Sequence, residues 1–354
     1  MQNINEGSDS VKRYGHLFEK ITSYDNLAVA IEEASRGKRK RAGVARVLAN
    51  KDLYIMKIQD MLLSHGYRPN PVIRRVIRDK IKQRTIAKPQ FYPDQVIQWA
   101  AVLVLQPIFL HGMYEYSVGS IPRRGTSLGQ KAVKKWLRND PRHTKYCLKM
   151  DIHKFYPSVD TTVLKHKFRR KIKDADTLWL LDLIVDQFDH GLPIGFYSSQ
   201  WFANFFLQDL DHYIKNDLRV PYLVRNIDDL VMLGPNKKKL HKAEQAIAEY
   251  LAAEGLEVKP NWQVFKVNSR PIDFLGVRIY RDHTTLRRRN ALKIRRRMAK
   301  IRKKPGLNKF DAAGVIAYWG WLKHSNSYNF YMKYMKPACT IKRAKEVISN
   351  GNKR

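Results

Sequence analysis

Residues 223–233 read LVRNIDDLVML, two apolar runs on either side of the adjacent carboxylates of Asp228 and Asp229. Short apolar runs that flank a polar pair predict two strands joined as a hairpin, with the acids at its tip. An Asp-Asp pair is also ordinary turn chemistry, because short acidic side chains hydrogen-bond to the backbone of a turn. The hairpin alone therefore leaves a structural turn and a functional site as alternatives.

A second strand-like run, residues 145–152 (KYCLKMDI), contains another acid, Asp151, near its end. Between the two runs, residues 190–195 (HGLPIG) lead into a predicted long helix over Phe196–Lys215. Two Mg²⁺ ions about 3.5–4 Å apart require carboxylates that converge from separate strands and leave ligand positions open for a triphosphate and a primer hydroxyl. The combination of acids at separate strand ends favours such a site over a simple turn.

The composition indicates a polyanionic partner. The 354 residues include 67 Lys and Arg against 32 Asp and Glu, so the formal net charge is +35. This surplus is spread along the chain, which favours nucleic acid over a membrane surface. A hydrophobic content of 44% and an aromatic content of 11% exclude a wholly disordered chain, and the length predicts two or three structural units.

Cysteine usage and hydropathy narrow the class of protein further. Cys147 and Cys339 lie far apart, which excludes a disulfide scaffold and a Cys-rich zinc module and fits a reducing compartment. The longest apolar run, Trp99–Leu105, is far shorter than the ~18 residues of a membrane-spanning helix. The N-terminal stretch lacks the apolar region of a signal peptide. We expect a soluble, cytoplasmic protein with no membrane partner.

The remaining patterns predict a mixture of helices and strands. The N-terminal stretch reads mainly as helices, and residues 72–89 alternate apolar and basic side chains, which predicts a basic β-hairpin. An apolar helix is expected over Asp94–Leu110, followed by a Gly- and Arg-rich loop over Ser117–Gly129 that suits phosphate binding. Residues 286–304 predict a helix with one cationic side and one apolar side. Its apolar positions recur at helical spacing: Ile294, Met298 and Ile301.

Taken in order, these motifs resemble those of reverse transcriptases, and specifically the prokaryotic retroelement enzymes of the group II intron-like type. The resemblance extends from about Val72 to Met335. Four motifs carry it: Asp151–Tyr156 resembles the first catalytic motif, Gly191–Gly195 with Ser199–Gln200 the substrate-binding turn and helix, Ile227–Asp229 the catalytic hairpin, and Asp273–Gly276 the primer-grip turn.

The resemblance implies an α+β right-hand polymerase fold, with fingers, a palm made of an antiparallel sheet with helices behind it, and a helical thumb. We expect N-terminal helices and fingers over residues 1–125, a palm with interleaved fingers elements over 126–283, and a basic thumb with a C-terminal segment over 284–354. It also implies two Mg²⁺ ions, with Mn²⁺ as an alternative. The implied metal-binding positions are Asp151, Ile152, Asp228 and Asp229, of which the three acids are catalytic.

Further roles follow from the same resemblance. Lys82 and Arg84 match residues that clamp the incoming triphosphate through charge-assisted contacts, and the structural alternative for both is an exposed strand face. Tyr156 matches the aromatic residue that excludes a ribose 2′-OH and so selects dNTPs, and its structural alternative is core packing. Other implied substrate-binding positions are Ile194, Gly195 and Gln200. The implied nucleic-acid-binding positions are Arg123, Arg124, Phe274, Leu275, Gly276, Arg295, Arg296 and Arg297.

Two positions depart from the usual family pattern. Asn226 stands where a Tyr usually precedes the acidic pair, and its shorter side chain cannot pack broadly against a primer terminus. Ile194 stands where Gln is commoner, and its side chain cannot hydrogen-bond to a nucleotide. Ile194 resembles the version in diversity-generating retroelement enzymes, which implies relaxed base selection. The C-terminal stretch Tyr318–His324 resembles a signature of these enzymes whose role the sequence leaves open.

The leading hypothesis is an RNA-directed DNA polymerase that makes cDNA with low fidelity, as part of a diversity-generating retroelement. An anti-phage defence reverse transcriptase is the alternative, and a maturase-like RNA-binding scaffold with a decayed active site is a third reading. The implied partners are an RNA template, a DNA or RNA primer, dNTPs, a template-repeat or dedicated non-coding RNA, and a small basic accessory protein. The implied source is a bacterium or a phage.

Overall fold

The computed structural model describes residues 13–79, 82–188 and 190–350. The chain divides into two compact units that alternate along the sequence. The first unit comprises Met1–Glu115, Ile152–Tyr213 and Ala246–Lys259, and the second comprises Tyr116–Asp151, Ile214–Gln245 and Pro260–Arg354. The expected division into fingers, palm and thumb, with boundaries at residues 125 and 283, has three parts where the structure separates two units, and it stays a prediction.

The first unit begins with helices, as the N-terminal sequence predicts. Ser23 starts the second of them, because its side chain accepts a hydrogen bond from the backbone N–H of Asn26. The apolar stretch after Pro93 forms the fifth helix, and most of its length is buried. The five helices are α1 (Phe18–Thr22), α2 (Tyr24–Ser35), α3 (Ala42–Ala49), α4 (Lys51–Leu63) and α5 (Val96–His111).

A two-stranded antiparallel hairpin lies between α4 and α5 in the chain. It comprises β1 (Ile73–Asp79) and β2 (Lys82–Lys88), with Ile77 opposite Arg84. Alternating apolar and basic residues fit this geometry, because successive side chains of a strand point to opposite faces. The predicted basic hairpin is confirmed.

The rest of the first unit contains shorter helices around a buried aromatic core. The helix predicted over Phe196–Lys215 is interrupted at Leu207, where the backbone leaves helical geometry (φ −88°, ψ 6°). No Gly or Pro lies at this interruption, and Leu207 itself is fully buried. The helices are α7 (Phe155–Ser158), α8 (Thr161–Lys171), α9 (Ala175–Asp186), α10 (Tyr197–Phe206) and α11 (Gln208–His212), followed by a π-helical turn at Tyr213–Asp217.

The second unit is organised by a four-stranded sheet in which every neighbouring pair is antiparallel. The strand order is β4-β5-β3-β6, so β3 and β5 occupy its centre. Apolar side chains of β5 are buried from Leu230 to Leu233, as expected of a central strand covered on both faces. Helix α6 (Thr126–Asn139) packs against β4. The strands are β3 (Tyr146–Asp151), β4 (Tyr222–Asn226), β5 (Asp229–Gly234) and β6 (Gln263–Lys266).

A smaller antiparallel sheet and the C-terminal helices complete the second unit. The sheet comprises β7 (Ile272–Phe274), β8 (Val277–Ile279) and β9 (Thr284–Leu286). The apolar side of α13 is buried at the three positions that the helical spacing predicts, and the opposite side is cationic. The stretch Tyr318–His324 includes Trp321, which is 41% exposed. The helices are α12 (Lys237–Ala253, shared with the first unit), α13 (Arg288–Arg302), α14 (Lys309–Leu322), α15 (Tyr328–Phe330) and α16 (Ile341–Asn350).

The mixed α+β class with antiparallel sheets is confirmed. Within the described part of the chain, no helix is both long enough and apolar enough to cross a membrane.

Candidate functional site

Strand pairing brings the three acids of the predicted site to one end of the four-stranded sheet. Asp151 is the last residue of β3 and lies directly opposite Asp229, the first residue of β5. Asp228 occupies the two-residue turn between β4 and β5. The acids therefore come from adjacent strand ends of a single sheet, as the hairpin and strand patterns predict.

The turn that carries Asp228 has an unusual backbone. Ile227 adopts a positive φ of 60°, a conformation that β-branched residues rarely tolerate. Gly119 lies against this turn: a Cβ at this position would come within 2.4 Å of Ile227 Cγ1 and 2.8 Å of its backbone nitrogen. The close approach therefore requires glycine at position 119. A conformation of this kind persists only where the surrounding structure imposes it.

Arg225 supplies part of that surrounding structure. Its side chain is fully buried, and its guanidinium donates from Nη1 to the carbonyl oxygen of Ile227 at 3.1 Å and from Nη2 to Ser117 Oγ at 3.0 Å. Its backbone also pairs with the segment 116–118, since Val118 N donates to Arg225 O at 2.8 Å. Arg225 thus ties the acidic turn to a neighbouring segment. The sequence analysis did not select Arg225, although a cation in an otherwise apolar strand was a visible signal.

The electrostatics around Asp229 favour a bound cation. Its side chain is 22% exposed, and Oδ1 is buried without a hydrogen-bond partner. Burial raises the pKa of Asp229 to about 6, and the nearby carboxylates of Asp151 and Asp228 contribute to the increase. Lys149 and Arg287 lower the pKa of Asp229 but do not offset these effects. Like charges held close together at a partly desolvated position create a demand for positive charge.

Lys149 is a site residue that the sequence analysis missed. Its Nζ lies 3.9 Å from Asp229 Oδ1 and donates to the carbonyl oxygen of Asp273 at 2.6 Å. Asp273 also forms an ion pair with Arg287. Lys149 precedes Asp151 by two residues in β3, so the two side chains share one face of the strand. That spacing was the available signal.

The turn between β7 and β8 is the Asp273–Gly276 motif of the sequence analysis. Leu275 and Gly276 both have positive φ, 48° and 86°, which gives a tight two-residue hairpin. Gln130 on α6 donates from Nε2 to the carbonyl oxygen of Leu275 at 2.9 Å. Phe274 is fully buried and belongs to the core of this unit.

The donor set around the acids fits a divalent cation chemically. Carboxylate oxygens are the ligands that Mg²⁺ and Mn²⁺ prefer, and the unpartnered Oδ1 of Asp229 is available as one of them. Among the described residues, no three acidic, imidazole or thiol side chains are already arranged as a metal-binding group. The residues present therefore match a metal in charge and chemistry, without a preformed cage.

The implied substrate-binding residues lie in the first unit. Arg84 on β2 is exposed, and the side chain of Lys82, which begins β2, lies outside the described residues. Ile194 is 36% exposed, and its carbonyl oxygen accepts a hydrogen bond from Ala87 N at 2.8 Å. Gly195 has a φ of 118°, and a Cβ there would lie 2.3 Å from Ala87 O. The structure thus brings the turn at 194–195 against β2.

Three other implied positions also lie in the first unit. Tyr156 is half-buried, with its ring 5.7 Å from that of Phe155. Gln200 is exposed on α10. Ile152 is fully buried, and its backbone forms a bridge with Val258. Their roles toward a nucleotide stay predictions.

The implied nucleic-acid-binding arginines of the second unit differ in their surroundings. Arg123 is exposed, with a positive φ of 63°, whereas Arg124 is half-buried in the same loop. Arg295 and Arg296 are exposed on α13, and the guanidinium of Arg295 lies over the ring of Tyr334.

Arg297 has an intramolecular partner. Its Nη2 lies 2.5 Å from Oδ1 of the buried Asp311, a close ion pair without hydrogen-bond geometry. Lys304 reaches the other oxygen of the same carboxylate at 2.5 Å. Arg297 therefore stabilises the packing of α13 against α14, and the exposed Arg295 and Arg296 are better placed for phosphate.

More than half of the chain matches a known protein family. The model of the family described as reverse transcriptase (RNA-dependent DNA polymerase) matches residues 77–279. Retron Ec73 reverse transcriptase of Escherichia coli is 30% identical over 199 residues, which cover 49% of this chain and 61% of the relative. Protein YkfC of Escherichia coli strain K12 is 26% identical over 225 residues, covering 58% of this chain and 59% of the relative. The chain spans about three fifths of these curated relatives.

A solved structure of apo telomerase from Candida tropicalis matches the fold with a TM-score of 0.51 at 12% sequence identity. The match covers 79% of this chain and 56% of the telomerase chain. The likeness confirms the right-hand polymerase fold that the sequence motifs imply.

Removing the charge at position 229 should stabilise the metal-free protein. The pKa of Asp229 is about 6 in the folded state and lower in the unfolded state, so ionisation of this carboxyl lowers the free energy of unfolding. The loss of stability grows as the pH rises toward 6 and is complete above it. In EDTA at pH 8, Asp229→Asn should raise the free energy of unfolding by about 2 kcal/mol. The gain should shrink by about half at pH 5, because the wild-type folded state is then protonated.

Urea titration of both proteins at the two pH values measures this effect. Asp217→Asn, at an exposed position, is the matched control and should change the free energy of unfolding little. A wild-type protein that is more stable than Asp229→Asn at pH 8 would contradict the electrostatic assignment.

Replacing Arg225 should destabilise the second unit. Arg225→Met keeps much of the side-chain volume but removes the guanidinium hydrogen bonds to the Ile227 carbonyl and to Ser117 Oγ, so the buried Ile227 carbonyl loses this donor. We expect a loss of about 2–3 kcal/mol in the free energy of unfolding. Arg138→Met, at an exposed position on α6, is the control. Equal stability of the two variants in urea titration would show that the guanidinium does not anchor the turn.

Proposed function

The chain belongs to the reverse transcriptase (RNA-dependent DNA polymerase) family, and we propose that it copies an RNA template into DNA by metal-assisted nucleotidyl transfer. The observation that carries this proposal is the convergence of Asp151, Asp228 and Asp229 at adjacent strand ends of one sheet. The family generally uses divalent metal ions. We propose Mg²⁺ as the resident ion, with Mn²⁺ as a substitute.

The three carboxylates would hold the metal ions, with Ile152 as a further proposed ligand position. When bound, such ions would lower the pKa of the primer hydroxyl and neutralise charge on the triphosphate. Lys149 and Arg287 limit the cost of keeping the acids ionised before a metal binds, because both lower the pKa of Asp229. Arg225 holds the acidic turn in its strained conformation through the Ile227 carbonyl.

The first unit supplies the proposed nucleotide contacts. Lys82 and Arg84 would clamp the triphosphate, and the exposed position of Arg84 on β2 is compatible with this role. Tyr156 would exclude the ribose 2′-OH, and Gly195 and Gln200 would border the nucleotide. In the second unit, the Phe274–Gly276 turn would position the primer, and Arg123, Arg124, Arg295 and Arg296 would contact phosphates.

The activity is tested by primer extension on a primed RNA template with Mg²⁺ and dNTPs. The wild-type protein should extend the primer, and Asp151→Ala or Asp228→Ala should reduce extension to background, because each removes a proposed metal ligand. Asp217→Ala removes an exposed acid elsewhere and should extend like the wild type. Near wild-type extension by either site variant would refute the metal assignment.

We further propose that copying is of low fidelity, as in diversity-generating retroelements. The support is Ile194, whose backbone is held against β2 while its partly exposed side chain offers only non-directional apolar contact. A Gln at this position could add a hydrogen bond that differs between matched and mismatched pairs.

The fidelity proposal predicts that Ile194→Gln lowers misincorporation about fivefold, the equivalent of one hydrogen bond of ~1 kcal/mol. Ile194→Leu keeps the apolar chemistry and should retain the wild-type error rate. Sequencing cDNA copied from a defined template by the three proteins measures this. Equal error rates for Ile194→Gln and the wild type would remove the basis for low fidelity.

The second candidate is a reverse transcriptase of anti-phage defence that works with a dedicated non-coding RNA. It is supported by the 30% identity to the retron Ec73 reverse transcriptase. Sequencing the nucleic acid that co-purifies with the protein separates the two: a template-repeat transcript favours the retroelement role, and a dedicated structured RNA favours defence. A maturase-like scaffold is the least favoured reading, because all three acids are present.

A further inference from the structure

A cationic cleft lies between α6 and the loop that follows α14. Its volume is ≈ 320 Å³, and Lys131, Lys134, Lys323 and His324 line it together with Ser127 and Gln130. None of the described residues that line it is acidic. All of these residues belong to the second unit. The cleft also contains the end of the Tyr318–His324 signature, which the catalytic proposal leaves without a role.

The positive charge of the cleft is held in a defined arrangement. Lys134 Nζ donates to the carbonyl oxygen of His324 at 2.6 Å, and Ser127 Oγ lies 3.1 Å from His324 Nε2. Lys131 and Lys323 are exposed. Burial, and then the charges of the three lysines, lower the pKa of His324, so all three ammonium groups act on one imidazole. A concentration of like charge without a balancing acid suits a phosphate.

Gln130 adds a second and independent observation. Gln130 is only 6% exposed, and its Nε2 donates a hydrogen bond to the Leu275 carbonyl oxygen. Its Oε1 is buried without a hydrogen-bond partner. A buried acceptor left unsatisfied beside a cationic cleft calls for a hydrogen-bond donor from a ligand. The ribose 2′-OH is such a donor, and it accompanies a phosphate in RNA but not in DNA.

Aromatic rings flank the same loop in the sequence. Trp321 is 41% exposed and Tyr328 is 71% exposed, on either side of Lys323 and His324. Neither ring is among the residues that line the cleft, so a base would stack on one of them where the strand continues beyond the cleft, because every base has a face that can stack. A base can stack on a protein ring in this way only in a single strand, because the faces of bases in a duplex are covered by the neighbouring base pairs.

We propose that this cleft binds a single-stranded segment of RNA, separately from the catalytic carboxylates. Lys131 and Lys323 contact the phosphate, Gln130 Oε1 accepts a hydrogen bond from the 2′-OH, and Trp321 stacks on a base. The proposal assigns a role to the Tyr318–His324 signature. It goes beyond polymerisation, since the site would bind RNA whether or not nucleotides are added.

Fluorescence anisotropy with single-stranded RNA and DNA oligonucleotides of the same sequence tests the proposal. The assay contains neither dNTP nor divalent metal, so its result does not depend on polymerase activity. The variant is Lys131→Ala/Lys323→Ala, and the matched control is Lys237→Ala/Lys238→Ala at exposed positions of α12. We expect the first variant to lose about tenfold in RNA affinity and the control to lose little.

The salt dependence gives a second readout. Each phosphate contact to a single strand contributes about 0.7 to the log–log slope of affinity against salt, so losing two lysine contacts should reduce the slope by about 1.4. The wild-type protein should bind DNA more weakly than RNA, because DNA lacks the 2′-OH, whereas the two lysine substitutions should lower the affinity for both nucleic acids by a similar factor. Trp321→Ala should weaken RNA binding without changing the slope, because a ring carries no charge.

Three results would overturn the proposal. Equal RNA affinity of the Lys131/Lys323 variant and the control would place the RNA elsewhere. Equal affinity of the wild-type protein for RNA and DNA would remove the role of the 2′-OH at Gln130. Displacement of the RNA by low millimolar inorganic phosphate would identify a site for a small anion instead.

Discussion

The pairing of β3 with β5 places Asp151 opposite Asp229, and the features of the site follow from this one register. Two carboxylates at adjacent strand ends, with Asp228 beside them in the turn, repel one another at a partly desolvated position. Burial is the largest cause that raises the pKa of Asp229 to about 6, and repulsion from Asp151 and Asp228 adds to it. A slip of one residue would turn these side chains to the opposite face of the sheet. The register therefore both creates the electrostatic strain and prepares the site for cations.

The backbone around the acids is strained as well, and the strain is supported from within the second unit. Ile227 and Leu275 both adopt positive φ, and each has its carbonyl oxygen held by a side chain, from Arg225 and Gln130 respectively. Non-glycine residues in this region carry a conformational penalty of order 1–3 kcal/mol each. Buried hydrogen bonds of this kind oppose that penalty. The turn at the acids and the turn of the Asp273–Gly276 motif are therefore stabilised in the same way, by a side chain that donates a hydrogen bond to the carbonyl oxygen of the strained residue.

Charge is distributed unevenly over a chain whose formal net charge is +35. Some cations are occupied within the protein: Arg297 and Lys304 neutralise the buried Asp311, and Lys149 lies beside Asp229. Others, such as Arg295 and Arg296, are exposed. A basic sequence therefore contains both structural and exposed cations, and their roles differ. Only the exposed ones can exchange counterions for phosphates of a nucleic acid.

The class of fold was implied by the resemblance of the ordered motifs to a known family. The sequence by itself determined the mixture of helices and strands, the two hairpins, the strand that ends at Asp151 and the amphipathic helix α13. These depend on local spacing, because a period of two or of 3.6 residues can be seen without knowing what lies opposite. It also identified the three acids, through their position at strand ends. Only the tertiary structure decided the interruption at Leu207, the partner of Arg297, the roles of Lys149 and Arg225, and the unpartnered oxygen of Gln130. Each of these features depends on burial or on a contact between distant parts of the chain. Contacts and burial of this kind produce no periodic pattern in the sequence.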